Sequence, residues 1–457
     1  MTSADPTTGA TPAAAGAAYR LLQRLVAVRP DEVRAVLWCW LYIFALFSSY
    51  YIMRPIRDQM GIARGVEDLP WLFFGTLVAM LLVNLPFAWL VKKLPRSRFI
   101  PLTYRFFAAN IILFALALHL ASPDETVWVG YVFFIWLSVY NLFVVSVFWQ
   151  LNVDLFSPEQ GKRLFGVIAV GATVGGIVGS SITASLARQV SPTFLLISAA
   201  VLLEVAVFAA SRLARLSPSL HTRPTTEGKA NPAAKEADAK AASGDERPIG
   251  GGVLAGLVNA LRSPYIRGIA VFILLYTVTS TFAYFLQGQI VEHGLTDRAE
   301  RTAFFASIDF GVNTLALAVQ LFLSGRVITL LGVSLALTLL PALTMAGFAA
   351  LAVTPSLAMI AVFQVMRRAA DYAITRPARE VLYTVASRED RYKAKGFIDT
   401  FVYRLGDQAG IWASRGLGEI GGRALPLAAI AITAAWLSVG LWLGRRQVAR
   451  EATGKYS

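Results

Sequence analysis

The sequence predicts an all-α polytopic membrane protein of twelve transmembrane helices in two six-helix halves. Three observations carry that prediction. The 457 residues are 56% hydrophobic and only 15% charged, with a mean hydropathy of +0.58, whereas a soluble domain carries about 25% charged residues. Apolar stretches of about 20 residues recur along the whole chain, each long enough to cross a hydrocarbon layer of ~30 Å. Basic residues gather in alternate loops, as membrane topology requires.

The apolar stretches place spans at 34–53, 69–91, 99–121, 127–151, 164–187 and 193–212, then at 265–290, 302–324, 327–352, 355–375, 394–418 and 424–444. The domains implied are a cytoplasmic N-terminal segment 1–33, a six-helix bundle 34–212, a linker 213–262, a second bundle 263–446 and a tail 447–457. The linker holds Pro218, Pro224, Pro232 and Pro248 among Ala and mixed charge. Its hydrophobicity is too low to repay ordering, so 216–250 is expected to be disordered. Loop 92–98 carries Lys92, Lys93, Arg96 and Arg98, loop 152–163 carries Lys162 and Arg163, and Arg445 and Arg446 follow the last span. Loop 122–126 carries Asp124 and Glu125 and no base. Both termini and the linker are therefore expected on the cytoplasmic side of a bacterial inner membrane.

Composition narrows the function classes. The net charge of +14 lies in the topology-setting loops, so no nucleic-acid partner is expected. One cysteine, Cys39, and three histidines can build neither a disulfide nor a metal cluster. No cofactor is expected, and no catalytic constellation appears, since His119, His221 and His293 fall at or beyond span ends. Residues 1–18 lack a positive segment followed by an apolar one, so the first span is expected to act as its own insertion signal.

The halves repeat faintly at an offset of 230. Ser157, Glu159, Arg163, Gly166, Ile168 and Gly176 correspond to Ser387, Glu389, Lys393, Gly396, Ile398 and Gly406. Both sets follow the fourth span of their half and run into the fifth. Two parallel six-span halves with a linker between them is the arrangement of major facilitator-type transporters, whose site lies between the halves.

Charges inside spans are the candidate site, because a charge in the membrane must be paired or wetted. Arg54 and Arg57 share a helical face with Asp58. They read either as an anion site or as an interfacial anchor, with Pro55 ending the helix. Arg105, near a span end, reads as snorkelling. Gly171, Gly175 and Gly179 have GxxxG spacing and read as close helix packing rather than a phosphate-cradling loop. Asp309 and Asn313 stand one turn apart in span eight, where Asp309 is either a proton-exchanging carboxylate or the partner of an arginine. The densest cluster spans ten and eleven: Arg367, Arg368, Asp371, Arg376, Arg379, Glu380, Lys393, Lys395, Asp399, Arg404 and Asp407. Arg367 with Asp371 and Arg404 with Asp407 have ion-pair spacing, and Lys395, Asp399 and Tyr403 share one face of a regular helix.

Four stretches in order resemble the ATP:ADP antiporter family of plastids and obligate intracellular bacteria. They are YYIMRPIRDQMG from Tyr50 to Gly61, RSPYIR at 262–267, Phe148-Trp149 followed by KRLF at 162–165, and YKAKGFID at 392–399. The resemblance is collinear over 34–446 and implies a carrier that moves nucleotides or another phosphorylated anion. It also implies that Arg57 stands at a substrate-linked basic position and Lys395 at a matching lysine of span eleven. The family's acidic position in span seven falls at Tyr284, and its fourth-span acid has no counterpart, since 130–151 contains no acid.

The expected function is thus secondary-active transport, with Arg54, Arg57, Lys395 and Arg404 binding the anion. Asp309, Asp371, Asp399 and Asp407 couple or gate. The partners expected are membrane lipid and a small anionic substrate such as a nucleotide, with the protein a monomer. Two alternatives stay open: a proton-coupled exporter of an organic compound or metal complex, and a carrier-like sensor or scaffold.

Overall fold

The computed structural model describes Arg29 and residues 32–94, 96–221, 263–322, 324–385 and 394–453. The first six helices are α1 (Val33–Gly61), α2 (Leu69–Lys93), α3 (Arg96–Leu120), α4 (Pro123–Leu155), α5 (Pro158–Leu186) and α6 (Pro192–His221). The second half opens with α7 (Pro264–Gly294), α8 (Arg298–Phe322) and α9 (Ser324–Val353). Span ten is α10 (Leu357–Ala370), a π-helical turn (Asp371–Thr375) and α11 (Arg376–Leu382). Span eleven is α12 (Lys395–Phe397), a second π turn (Ile398–Val402) and α13 (Tyr403–Ile420), and span twelve is α14 (Ala424–Thr453). Ten of these helices are individually long and apolar enough to cross a membrane. Spans ten and eleven are the charged, interrupted ones, so no single helix in them reaches that length. Beyond His221 the expected linker lies outside the described residues.

Local chemistry sets the helix ends. Ser122 and Ser157 each accept from the backbone N–H three residues on, while Glu125 and Gln160 reach back, giving two capping boxes with proline in the first turn. In α9 the chain turns at Gly332 with φ 73°, a conformation that suits glycine, so the span proper begins there. Pro55 does not end α1, which continues through it to Gly61. Neighbouring helices hold a chain that lacks one backbone hydrogen bond, and Arg54 and Arg57 therefore sit within the bundle rather than at its rim.

The two halves pack by the same plan: α1 lies on α5 and α6, and α7 lies on α13 and α14. Glycine permits the closest of these contacts. A Cβ on Gly175 or Gly179 would overlap the carbonyl oxygens of Phe44 and Ser48. One on Gly406 would overlap Thr277, and one on Gly410 would lie 3.1 Å from the Val278 carbonyl oxygen. The GxxxG stripe is helix packing, as its spacing predicts. The structural equivalent of Gly406 is thus Gly175 and not Gly176. The close-contact pairs 175/179 and 406/410 stand 231 apart rather than 230, as one residue inserted by the second π turn would give.

Each half has its own core. Tyr42, Tyr104, Phe133, Tyr140 and Phe148 are fully buried in the first, and Phe272 and Trp436 in the second. The buried tyrosines are satisfied: the Tyr42 and Tyr104 hydroxyls pair, and Tyr104 donates to the Val144 carbonyl at 3.0 Å. Outward-facing Leu81, Leu82, Leu113, Val201 and Leu427 are exposed, an apolar belt suited to lipid. A third cluster joins the halves at one end, where Ile62, Leu69 and Phe134 meet Phe282, Phe285 and Phe305. At that end Trp71 meets Trp412 edge-on at 5.1 Å, and the Glu292 carboxylate accepts the Val66 N–H at 3.1 Å. This end, bearing the α1–α2 and α7–α8 connections, is closed.

Candidate functional site

Below the closed end two cavities lie between the halves, and Arg54, Tyr372 and Arg376 line both. The larger, about 570 Å³, is lined by Arg54, Arg57 and Arg376, by the aromatic rings of Phe47, Tyr50, Tyr51 and Tyr372, and by Asn141, Asn313 and Gln320. No carboxylate is among its lining residues. The smaller, about 220 Å³, is lined by four carboxylates (Asp58, Asp309, Asp371, Asp407) and four guanidiniums (Arg54, Arg367, Arg368, Arg376).

The carboxylates hold the arginines. Asp309 Oδ1 accepts from Arg54 and Arg368, each at 2.8 Å, and is 2% exposed. Arg54 belongs to the first half and Asp309 to the second, so this buried pair ties the halves together. Asp58, one turn on from Arg54, takes Arg57 Nε at 3.0 Å and the Tyr284 hydroxyl of α7 at 3.1 Å. Arg57 also lies over the Phe134 ring at 4.9 Å. Two arginines so enclosed are not interfacial anchors. Asp309 likewise has arginine partners, the second of its two readings.

Spans ten and eleven depart from regular-helix expectations, through competing partners in the first and a π turn in the second. Arg367 and Asp371 do not pair: Arg367 donates to Ser280 Oγ at 2.9 Å, while Asp371 takes Arg376 Nε at 3.0 Å and the Tyr276 hydroxyl at 2.8 Å. Asp371 opens a π turn, where residues five apart stack instead of four. In span eleven the extra residue rotates the helix before it by roughly 100° against the helix after it. Tyr403 and Asp407 therefore line the smaller cavity, while Lys395 and Asp399 line neither. Lys395 pairs with Glu380 and lies 5.5 Å from the Tyr383 ring centroid. Arg404 pairs with Asp407 at 3.3 Å, as its spacing predicts, and stays half-exposed outside the cavity lining. Arg105 reaches Glu204 of α6 at 3.8 Å on the exposed surface.

Of the four expected anion-binding residues the structure brings together Arg54 and Arg57 and leaves Lys395 and Arg404 apart. Asp309, Asp371 and Asp407 of the four expected coupling residues line one cavity, and Asp399 does not. Arg376, Arg368, Tyr372 and the hydrogen-bonded pair Gln364–Gln287, at 2.7 Å, complete the site. Gln287 and Gln364 are amides inside otherwise apolar stretches, a signal as legible as a charge.

Two six-span bundles closing on a polar cavity, with an apolar belt outside, make a multi-pass membrane protein with the fold of major facilitator-type transporters. No family model matches the chain. In sequence it is similar to ADP,ATP carrier protein 1 of Chlamydia muridarum (strain MoPn / Nigg), 22% identical over 493 residues, covering 93% of this chain and 90% of that protein. Its fold is that of a bacterial homologue of the human lysosomal transporter Spinster in an inward-facing, unoccupied conformation (TM-score 0.53, 13% identity, 93% of this chain and 99% of that one). The nucleoside transporter NupG gives a TM-score of 0.55 at 12% identity over 91% and 99% of the two chains. A POT family transporter in complex with a thioalcohol-conjugated peptide gives 0.57 at 11% over 90% and 95%. The chain thus shares the fold of these transporters and is similar in sequence to an ADP,ATP carrier.

Proposed function

We propose that the protein moves a nucleotide, or a phosphorylated anion of similar build, by alternating access across a bacterial inner membrane. One observation carries the reading: Arg54, Arg57 and Arg376 converge on a cavity between the halves that no carboxylate lines. Guanidinium forks match phosphate oxygens two at a time, and the four aromatic rings beside them wall the cavity. In the substrate-free carrier Asp309, Asp58 and Asp371 hold these arginines; an arriving phosphate replaces carboxylate with another anion, so the guanidiniums are never left bare in a low-dielectric site. The name of the relative, an ADP,ATP carrier, supports the same cargo.

With both termini cytoplasmic, the closed end faces outward and the larger cavity belongs to an inward-facing state. Lys395 with Glu380 then lies at the cytoplasmic ends of spans ten and eleven, as part of a gate rather than of the anion site. The carrier works as a monomer, each chain holding one complete site.

The test is uptake into proteoliposomes of labelled nucleotides and phosphate esters. Arg57→Ala and Arg376→Ala should each reduce uptake about tenfold or more, the worth of a charge-assisted pair. If the double variant still transports every anion the wild type does, the site is wrong. Uptake driven by a pH gradient and indifferent to nucleotides would instead favour the proton-coupled exporter, and binding without counter-transport the sensor.

A further inference from the structure

The smaller cavity lies beside the arginine-lined one and shares Arg54, Tyr372 and Arg376 with it, yet its chemistry is different. Four carboxylates oppose four guanidiniums on its wall, so a phosphate gains there no more than it loses. Building on the phosphorylated-anion reading, we infer that this compartment receives the uncharged part of the same substrate. That part is a heteroaromatic ring whose edge carries both an N–H donor and an acceptor, and Asp371 and Arg367 read it.

Four unpartnered polar atoms belong to residues that line the smaller cavity. Asp371 Oδ1 and Arg367 Nε are buried with no hydrogen-bond partner, as are Asp309 Oδ2 and Arg368 Nη2. Asp371 is 3% and Arg367 5% exposed, and both line the cavity. Buried polar atoms are seldom left unmatched, and those that are call for a ligand, a water or a function. Neither side chain can swing away to find a partner elsewhere. Asp371 Oδ2 is held by Tyr276 and Arg376, and Arg367 Nη1 by Ser280. The two free atoms are an anionic acceptor and a cationic donor, four residues apart on one helical stretch and already immobilised. A phosphate, which at neutral pH accepts and scarcely donates, satisfies only the donor. An aromatic ring bearing N–H beside a ring nitrogen or carbonyl satisfies both.

The wall suits a flat ring as well. Phe73 of the first half and Tyr284 of the second, with centroids 5.7 Å apart, meet over the closed end of the compartment. Ring faces there and polar edges at Asp371 and Arg367 give one flat orientation. The substrate then lies across both cavities, ring toward the closed end and phosphates toward the other.

Binding to the purified full-length protein should be measured with two probes: ATP and inorganic tripolyphosphate. The wild type should bind ATP about ten- to a hundredfold tighter than tripolyphosphate, the range for hydrogen bonds to charged groups. Asp371→Asn should close most of that gap by weakening ATP; because Asp371 also holds Arg376, a gap closed only by tightened tripolyphosphate would overturn the inference. Arg367→Gln should do the same through the other partner, and carries the test if Asp371→Asn does not yield folded protein. Arg57→Ala should weaken both ligands alike. Equal wild-type affinity for ATP and tripolyphosphate would overturn the inference while leaving the anion site standing. So would an ATP-to-tripolyphosphate ratio unmoved in both ring-side variants. A wild type that binds neither probe sinks the anion reading and this one together.

Discussion

Span five and span eleven occupy equivalent places in the two halves, and they solve one packing problem while differing in everything else. Gly175 and Gly179 bring α5 onto α1, and Gly406 and Gly410 bring α13 onto α7. Within the membrane, however, α5 is unbroken and uncharged beyond Arg163, whereas span eleven carries a π turn, Asp399, Arg404 and Asp407. The glycine contact specifies the bundle and is needed twice. The polar machinery is needed once, and outside Arg54, Arg57 and Asp58 of span one it has collected in the second half, where spans ten and eleven both contain a π turn. Such turns recur at functional sites.

The comparison can be broken at its shared feature first. Gly175→Val and Gly406→Val should each cost about 3 kcal/mol, since the added methyls meet the Phe44 backbone in one and the packed Thr277 side chain in the other. Both should appear as lost monodisperse protein on size-exclusion chromatography. If either variant folds and melts like wild type, the symmetric contact is not what holds its half together. Next in size is the feature that differs. Deleting Thr400 removes the inserted residue and turns Lys395 and Asp399 by roughly 100° relative to Asp407. The protein should still fold, but uptake should fall to background; unchanged uptake would show that the π turn aims nothing. The smallest effect separates gate from site. Lys395→Ala should change nucleotide affinity by less than about twofold, as expected for a half-exposed pair, where Arg57→Ala costs about tenfold. An equal loss in both would return Lys395 to the anion site.

Much of the fold is legible in the sequence because the membrane leaves few choices. Long apolar runs, basic loops and the GxxxG spacing each correspond to one physical necessity: span length, orientation and backbone approach. Arg54, Arg57 and Asp309 are legible as site residues for the same reason, since charge in hydrocarbon demands a purpose. A period of 3.6 carried through Ile398–Val402 puts Lys395 and Asp399 on Tyr403's face, which is wrong. Arg367 and Asp371 keep regular spacing and still do not pair, because Ser280 takes the one and Arg376 with Tyr276 the other. A π turn leaves no reliable mark in composition, so every residue on its far side is assigned to the wrong face.

The sequence by itself determined that this chain spans a membrane many times, in two halves, with its charges in spans one, eight, ten and eleven. Hydropathy and charge placement are local properties, and each residue declares its own. Tertiary structure alone decided which charges meet. Arg54 and Asp309 are 255 residues apart, and nothing local states that they close one buried pair. It also decided that Arg376 joins Arg54 and Arg57, and that the carboxylates line one cavity while a second is lined by arginine without them. Those facts depend on helix rotation and on which half faces which, and only the packed bundle sets them.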